Sequence, residues 1–230
     1  SKSFKSLFEE GLLSREEYNE CVFNLASDVL DEMIIQVVKK PKLLHYFILF
    51  APVVLAAYVM TMKNIHGERD LILQGEKFIG YKREPKVAWF TDSFVNMDGV
   101  SKTCRVFLEA AEKRGKNLKI VTSHSADLDG HQNIINFKPV HEFPTPGYEK
   151  VKISVPSILK VLKRMEDEDI DSIVVSTPGP VGIMGLFCAK LLRIPVHGIY
   201  HTDIPRIALN VSGDPMFAEL ALLLTRMFYR

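Results

Sequence analysis

The stretch Ser172–Pro205, SIVVSTPGPVGIMGLFCAKLLRIPVHGIYHTDIP, decides the fold. It opens on a short β-branched run and passes through Ser176-Thr177-Pro178-Gly179. Pro180 suits the first turn of a helix, and Val181, Met184, Cys188 and Leu191 then recur at spacings of three and four. PVHGIY is a second apolar strand, and it ends in His201-Thr202-Asp203. Strand, crossover helix and strand in this order make a parallel βαβ unit. Strands so short and so apolar belong to a sheet covered on both faces. Polar residues placed directly after such strands lie on the carboxyl edge of the sheet, where open α/β sheets bind ligands.

The same grammar extends back to Lys86. KVAWFTDSF is a strand of β-branched and aromatic residues that ends in Thr91-Asp92. The loop VNMDG leads into a helix with Val100, Cys104, Phe107, Leu108 and Ala111 on its apolar face, closed by Gly115. LKIVTS is the next strand. An irregular stretch rich in Pro and Gly follows, and Ser154 and Pro156 open a helix to about Asp167 with Ile158, Leu162 and Met165 facing inward. Residues 86–230 therefore read as an α/β, doubly wound parallel domain with four clear strands.

Residues 1–85 follow a helical period instead. Leu7, Leu12, Tyr18, Val22, Leu25, Val29, Met33 and Val37 recur at spacings near three and four. LLHYFILFAPVVLAAYVMTM, residues 43–62, then runs without a formal charge if His45 is neutral. Two readings fit it: a membrane-crossing helix flanked by lysines, or a buried helix pair broken at Pro52 and packed on the neighbouring domain. The region reads as the tail of an upstream domain or as membrane-associated helices. The start at Ser1 and the stop inside LLLTRMFYR suggest a piece of a longer protein.

Composition narrows the classes. With 29 basic and 28 acidic side chains, no field of one sign favours nucleic acid as partner. Cys21, Cys104 and Cys188 form no pairing framework and no C-x-x-C, which suits reduced thiols in the cytoplasm. The amphipathic, charged start is not a signal peptide. His124, Asp127, Asp129 and His131 gather in HSADLDGH, but Lys138 stands where a calcium loop needs its twelfth-position carboxylate, and the histidines miss the spacing of a zinc helix. We read this as a polar loop, and EDEDID as a solvated helix end. Neither a G-x-S-x-G elbow nor a phosphate-binding P-loop occurs.

Three strand tips remain as the candidate site. In the first, Gly99 lets backbone approach a ligand, and the helix start behind it offers free N–H groups suited to a diphosphate. A plain turn explains the same glycine, and no G-x-G-x-x-G is present. The second, STPG before a helix, fits backbone donors or a tight turn. The third holds His201, either a ligand-facing group or a satisfied structural histidine. Three tips on one edge raise the functional reading above what any one supports.

WFTDSFVNMDGVSKTCRVFLEAAEKRGKNLKIVTS, FPTPGYEKVKISVPS and IVVSTPGPVGIMGLFCAKLLRIPVHGIYHTDIPRIA together resemble the amino-terminal domain of retaining GT-B glycosyltransferases of family 4, in the mannosyl and sulfoquinovosyl branch. The resemblance covers residues 86–230. It implies the Rossmann-like half of a two-domain enzyme with the active site in the interdomain cleft. It places Gly99 at the donor diphosphate, with Asp98 where many relatives carry another glycine. It places His201 beside the transferred sugar, and Ser101, Lys102 and Thr177 to Gly179 on the acceptor side. Asp203 follows the family pattern. The implied donor is a nucleotide-diphosphate sugar and the acceptor a lipid or glycan, with no cofactor and no metal. The cations that neutralise the diphosphate would belong to a carboxy-terminal donor domain, so this fragment alone should be inactive. Apart from the resemblance, the cysteine usage and residues 43–62 suggest a cytoplasmic location, peripheral to or anchored at a membrane. The alternative from another class is a non-catalytic α/β binding or assembly module. A dehydrogenase or epimerase is disfavoured because no dinucleotide fingerprint follows the first strand.

Overall fold

Three helices precede the sheet: α1 (Arg15–Lys39), α2 (Leu44–Thr61) and α3 (Ile65–Ile79), with a short 3-10 turn at Pro41–Leu43 between the first two. The computed structural model describes residues 14–61, 65–81, 83–95, 99–128, 131–145 and 148–230. Ser14 starts α1 with a capping box: its hydroxyl accepts the Glu17 N–H, and the Glu17 carboxylate accepts the Ser14 N–H. The apolar face of α1 is rotated from the one expected. Leu25 and Val29 are exposed, and Ser27, Leu30 and Ile34 are buried. Apolar residues nearly encircle this helix, so periodicity alone did not select the stripe that packs.

Contrary to the expected break, α2 runs unbroken through Pro52. Pro52 is exposed, so its ring displaces nothing in the core, and only one intrahelical bond is forfeited. The other face of α2 holds the helix in place. Ala51 and Tyr58 are buried in the main core, with Phe47, Val54 and Leu55 packed against it. Among the described residues no helix is long and apolar enough to cross a membrane.

The sheet is parallel, with strand order β3-β2-β1-β6-β7: β1 (Val87–Phe90), β2 (Leu118–Ser123), β3 (Ile134–Phe137), β6 (Ser172–Val175) and β7 (Val196–Gly198). The stretch expected to be irregular supplies β3 and an antiparallel hairpin of β4 (His141–Thr145) and β5 (Tyr148–Val155). The flanking helices are α4 (Gly99–Lys113), α5 (Ile158–Asp167) and α6 (Pro180–Leu191); α7 (Ile204–Ser212) and α8 (Pro215–Phe228) end the chain. α5 starts after Ser157, because Pro156 holds Val155 extended and Ser154 still belongs to β5.

Alternation along β1 assigns the two cores. Ala88 and Phe90 join Ile173, Val175, Leu162, Met165, Met184 and Cys188 on one face. Trp89 joins Val100, Cys104, Leu108 and Ile120 on the other. Leu30, Ala51 and Tyr58 from the helical segment belong to the first core, so that segment packs on the sheet domain. The Ser27 and Ser157 hydroxyls meet at 3.2 Å, and Lys160 lies 3.6 Å from Asp31. At the junction Arg83 reaches Glu76, Asp169 and Asp171 at 3.1, 2.7 and 2.6 Å.

Candidate functional site

The three tips singled out in the sequence follow β1, β6 and β7, which are adjacent in the sheet. Their residues are therefore neighbours on one carboxyl edge.

The β1 and β6 tips are locked together by Asp92. The Thr177 hydroxyl donates to Asp92 Oδ2 at 2.7 Å, and the Asp92 N–H donates back to Thr177 Oγ1 at 2.9 Å. The Val181 N–H donates to Oδ1 at 2.9 Å and the Gly182 N–H to Oδ2 at 3.2 Å. Burial pushes the Asp92 carboxyl above the ordinary range, while Thr177 and the amides of Val181, Gly182 and Gly179 pull it down. The first turn of α6, with its free N–H groups and positive dipole end, is thus filled by the chain's own carboxylate. Gly179 is required by that fit, since a Cβ there would lie 2.5 Å from Asp92 Cγ. Gly182 and Gly185 are small for similar reasons. A Cβ at Gly182 would collide with the Thr177 carbonyl, and one at Gly185 would lie 2.8 Å from the Phe90 ring.

The first tip is arranged differently. Gly99 begins α4, is exposed, and has no described atom within 4 Å of where a Cβ would stand. Behind it Ser101 is buried and donates to the Phe94 carbonyl at 2.8 Å, and the Arg105 guanidinium lies 4.7 Å from the centre of the Phe94 ring. These contacts tie the first turns of α4 to Phe94, and among the described residues nothing covers the outer side of Gly99. Lys102 is exposed on the same turn. Asp98 lies outside the described residues.

At the third tip the His201 ring stacks on Trp89 at 6.0 Å and 11°. Its Nε2 is shielded from solvent and has no hydrogen-bond partner among the described residues, and Trp89 Nε1 is in the same condition. Burial lowers the pKa of His201, which favours the neutral imidazole. A buried polar atom without a partner calls for an explanation, and a ligand hydroxyl is the kind of group that would satisfy it. Asp203 serves as N-cap of α7, accepting the Arg206 N–H at 3.2 Å.

Two participants escaped the sequence reading. Asp92 was visible as a carboxylate directly after a strand, the position from which it can reach a neighbouring helix start. Tyr229 carried no signal: its hydroxyl donates to the Ser176 carbonyl at 2.9 Å, with the Ile199 carbonyl at 3.2 Å, pinning the end of α8 across the β6 and β7 tips. Its ring lies where a Cβ at Gly198 would be, at 2.7 Å. Among the described residues no cluster of three metal-ligating side chains occurs.

Comparison with known proteins falls on this same part of the chain. Residues 97–230 match the model of Glycosyltransferase Family 4. A GDP-mannose-dependent alpha-mannosyltransferase of Mycobacterium tuberculosis is 27% identical over 150 residues, 63% of this chain and 39% of the relative. An alpha-monoglucosyldiacylglycerol synthase of Streptococcus pneumoniae is 27% identical over 51% of this chain and 27% of its own length. A sulfoquinovosyl transferase of Arabidopsis thaliana is 25% identical over 60% of this chain and 28% of its own. The alignments thus cover less than two fifths of the length of these curated relatives.

Proposed function

Since the chain belongs to glycosyltransferase family 4, we propose that its sheet domain is the acceptor-side half of a retaining enzyme. That enzyme moves a sugar from a nucleotide-diphosphate sugar to a lipid or glycan acceptor. The observation that carries the reading is His201, whose Nε2 is buried on the carboxyl edge of the sheet without a partner among the described residues. The names of the relatives, with GDP-mannose as donor in one and a diacylglycerol glycolipid as product in another, support the two substrate classes.

Breaking the sugar–diphosphate bond builds positive charge at the anomeric carbon and negative charge on the leaving phosphate. The N-terminus of α4 is suited to the phosphate, because its amides and dipole need no reorganisation. Gly99 leaves room for that approach. His201, held neutral by burial, hydrogen-bonds a sugar hydroxyl and orients the ring while Trp89 supports it from behind. The α6 N-terminus plays no part with the donor, since Asp92 fills it. Thr177 and Gly179 then shape the cleft wall instead of binding substrate. No metal or cofactor enters this reading.

The test is donor hydrolysis and sugar transfer by the full-length gene product, against a panel of nucleotide sugars with a lipid extract as acceptor. Turnover with one donor, reduced about 100-fold in His201→Ala with an unchanged melting temperature, is the expected result. A folded protein that is silent across the panel would favour a binding module that kept the fold without the chemistry.

A further inference from the structure

The outward face of α2 is a surface that water does not suit. Leu44, Tyr46, Ile48, Leu49, Phe50 and Val53 are each between 49% and 64% exposed. The helix carries no Asp, Glu, Lys or Arg from Leu44 to Thr61. A helix apolar all round normally has apolar neighbours on every side. Here the described neighbours cover one side only, where Phe47, Ala51, Val54, Leu55 and Tyr58 meet the core. An exposed apolar strip of this extent marks an interaction face.

Charge identifies the occupant. No acidic residue occurs between Glu32 and Glu68, while Lys39, Lys40 and Lys42 cluster immediately before the helix and Lys63 follows it. Lys39, Lys40 and Lys42 are exposed in the elbow between α1 and α2. Tyr46 and Phe50 follow within two turns, the amphipathic and aromatic groups that settle at a headgroup boundary. From Leu44 to Val53 the strip runs about 14 Å along the helix axis, enough to lie in the plane of a bilayer surface and too short to cross it. By contrast α8 exposes Met216, Phe217, Leu220 and Leu224, but Glu219 stands among them and Asp214 caps its start. That pattern does not suit an anionic surface.

We propose that α2 is a monotopic membrane anchor. Its inner face packs on the protein and its outer face enters the interface of an anionic bilayer, with Lys39, Lys40 and Lys42 among the headgroups. The helix is apolar on both sides because both of its partners are apolar. The inference does not rest on the glycosyltransferase reading, since α2 lies outside the residues matched to that family.

The test is flotation of the full chain with vesicles of phosphatidylglycerol and phosphatidylcholine, against pure phosphatidylcholine. Flotation should occur with the anionic vesicles, weaken with salt, and disappear in Ile48→Glu/Val53→Glu. Replacing Lys39, Lys40 and Lys42 by Gln should lower binding about fivefold per lysine removed. These lysines are exposed, so that variant stays informative even where the glutamates impair folding. No flotation with either vesicle, or binding indifferent to the lysine replacement, would overturn the proposal. So would a wild-type dimer in buffer that Ile48→Glu/Val53→Glu converts to a monomer, which would make the face a self-interface.

Discussion

Gly99 and Gly179 occupy the same place in two successive motifs: apolar strand, short polar turn, glycine, helix. In sequence they read alike. In the structure Gly179 is sealed against the carboxylate of Asp92, and Gly99 has no described atom where a side chain would stand. The difference lies in a residue from another strand, because Asp92 follows β1 and reaches across to the helix that follows β6. A free helix start is an anion site only until the fold supplies its own anion. One sheet edge thus carries a helix terminus used for architecture beside one that, among the described residues, has no internal anion.

Removing the internal anion should break this contrast most severely. Asp92→Ala leaves the Thr177 hydroxyl and the Val181 and Gly182 amides without their acceptor, and buried donors left unpaired destabilise by about 3 kcal/mol in all. Thermal unfolding should show a loss of about 2–4 °C for each kcal/mol in a domain of this size. If Asp92→Ala melts like wild type, α6 does not depend on the carboxylate and the contrast fails. Gly179→Ala should act next most strongly, at about 1–3 kcal/mol, because the methyl group must displace Asp92. Pairing it with Asp92→Ala sharpens the point. The two losses should not add, since the second substitution removes what the methyl group strikes.

How much of this was legible beforehand divides along physical lines. The parallel sheet and its carboxyl edge followed from short apolar strands and their turns, since local pattern and tertiary burial agree over Val87–Phe90, Leu118–Ser123 and Ser172–Val175. The pairing of β4 with β5 is not legible in the sequence, because Pro144 and the Pro146-Gly147 dipeptide interrupt the alternation. The face of α1 was misjudged because its apolar residues exceed the stripe that packs. Within the site, residue types were readable but partners were not. Ser101 is buried in the first turn of α4 and donates to the Phe94 carbonyl, Thr177 is committed to Asp92, and Asp203 caps a helix. Each is a polar residue at a strand tip or helix start, and only long-range packing distinguishes a structural hydrogen bond from one left for substrate.

His201 offers a finer probe of the open side. Burial lowers its folded pKa below that of the unfolded chain. Between those two values the unfolded state binds the extra proton, so stability falls as pH drops through the ordinary histidine range and levels off below the lowered value. His201→Gln should flatten this part of the stability–pH curve without changing the curve near pH 8. An unchanged slope would mean that His201 is no more buried folded than unfolded, and its orphaned Nε2 would lose its meaning.

The smallest effect on stability belongs to Gly99→Ala, and that is why it discriminates best. With no described atom within 4 Å of the new methyl group and no positive φ to strain, the unfolding free energy should stay within about 0.5 kcal/mol of wild type. A donor diphosphate laid against that backbone would nonetheless meet the methyl group. In the full-length enzyme kcat/KM for the donor should therefore fall about tenfold or more, equivalent to 1.4 kcal/mol of lost transition-state binding. Gly179→Ala should show the reverse pairing, a lower melting temperature with donor kinetics little altered in the fraction that remains folded. If Gly99→Ala turns over donor normally, the open space beside α4 is only open space. The phosphate would then have to be held elsewhere on the sheet edge, and the two glycines would differ in packing without differing in function.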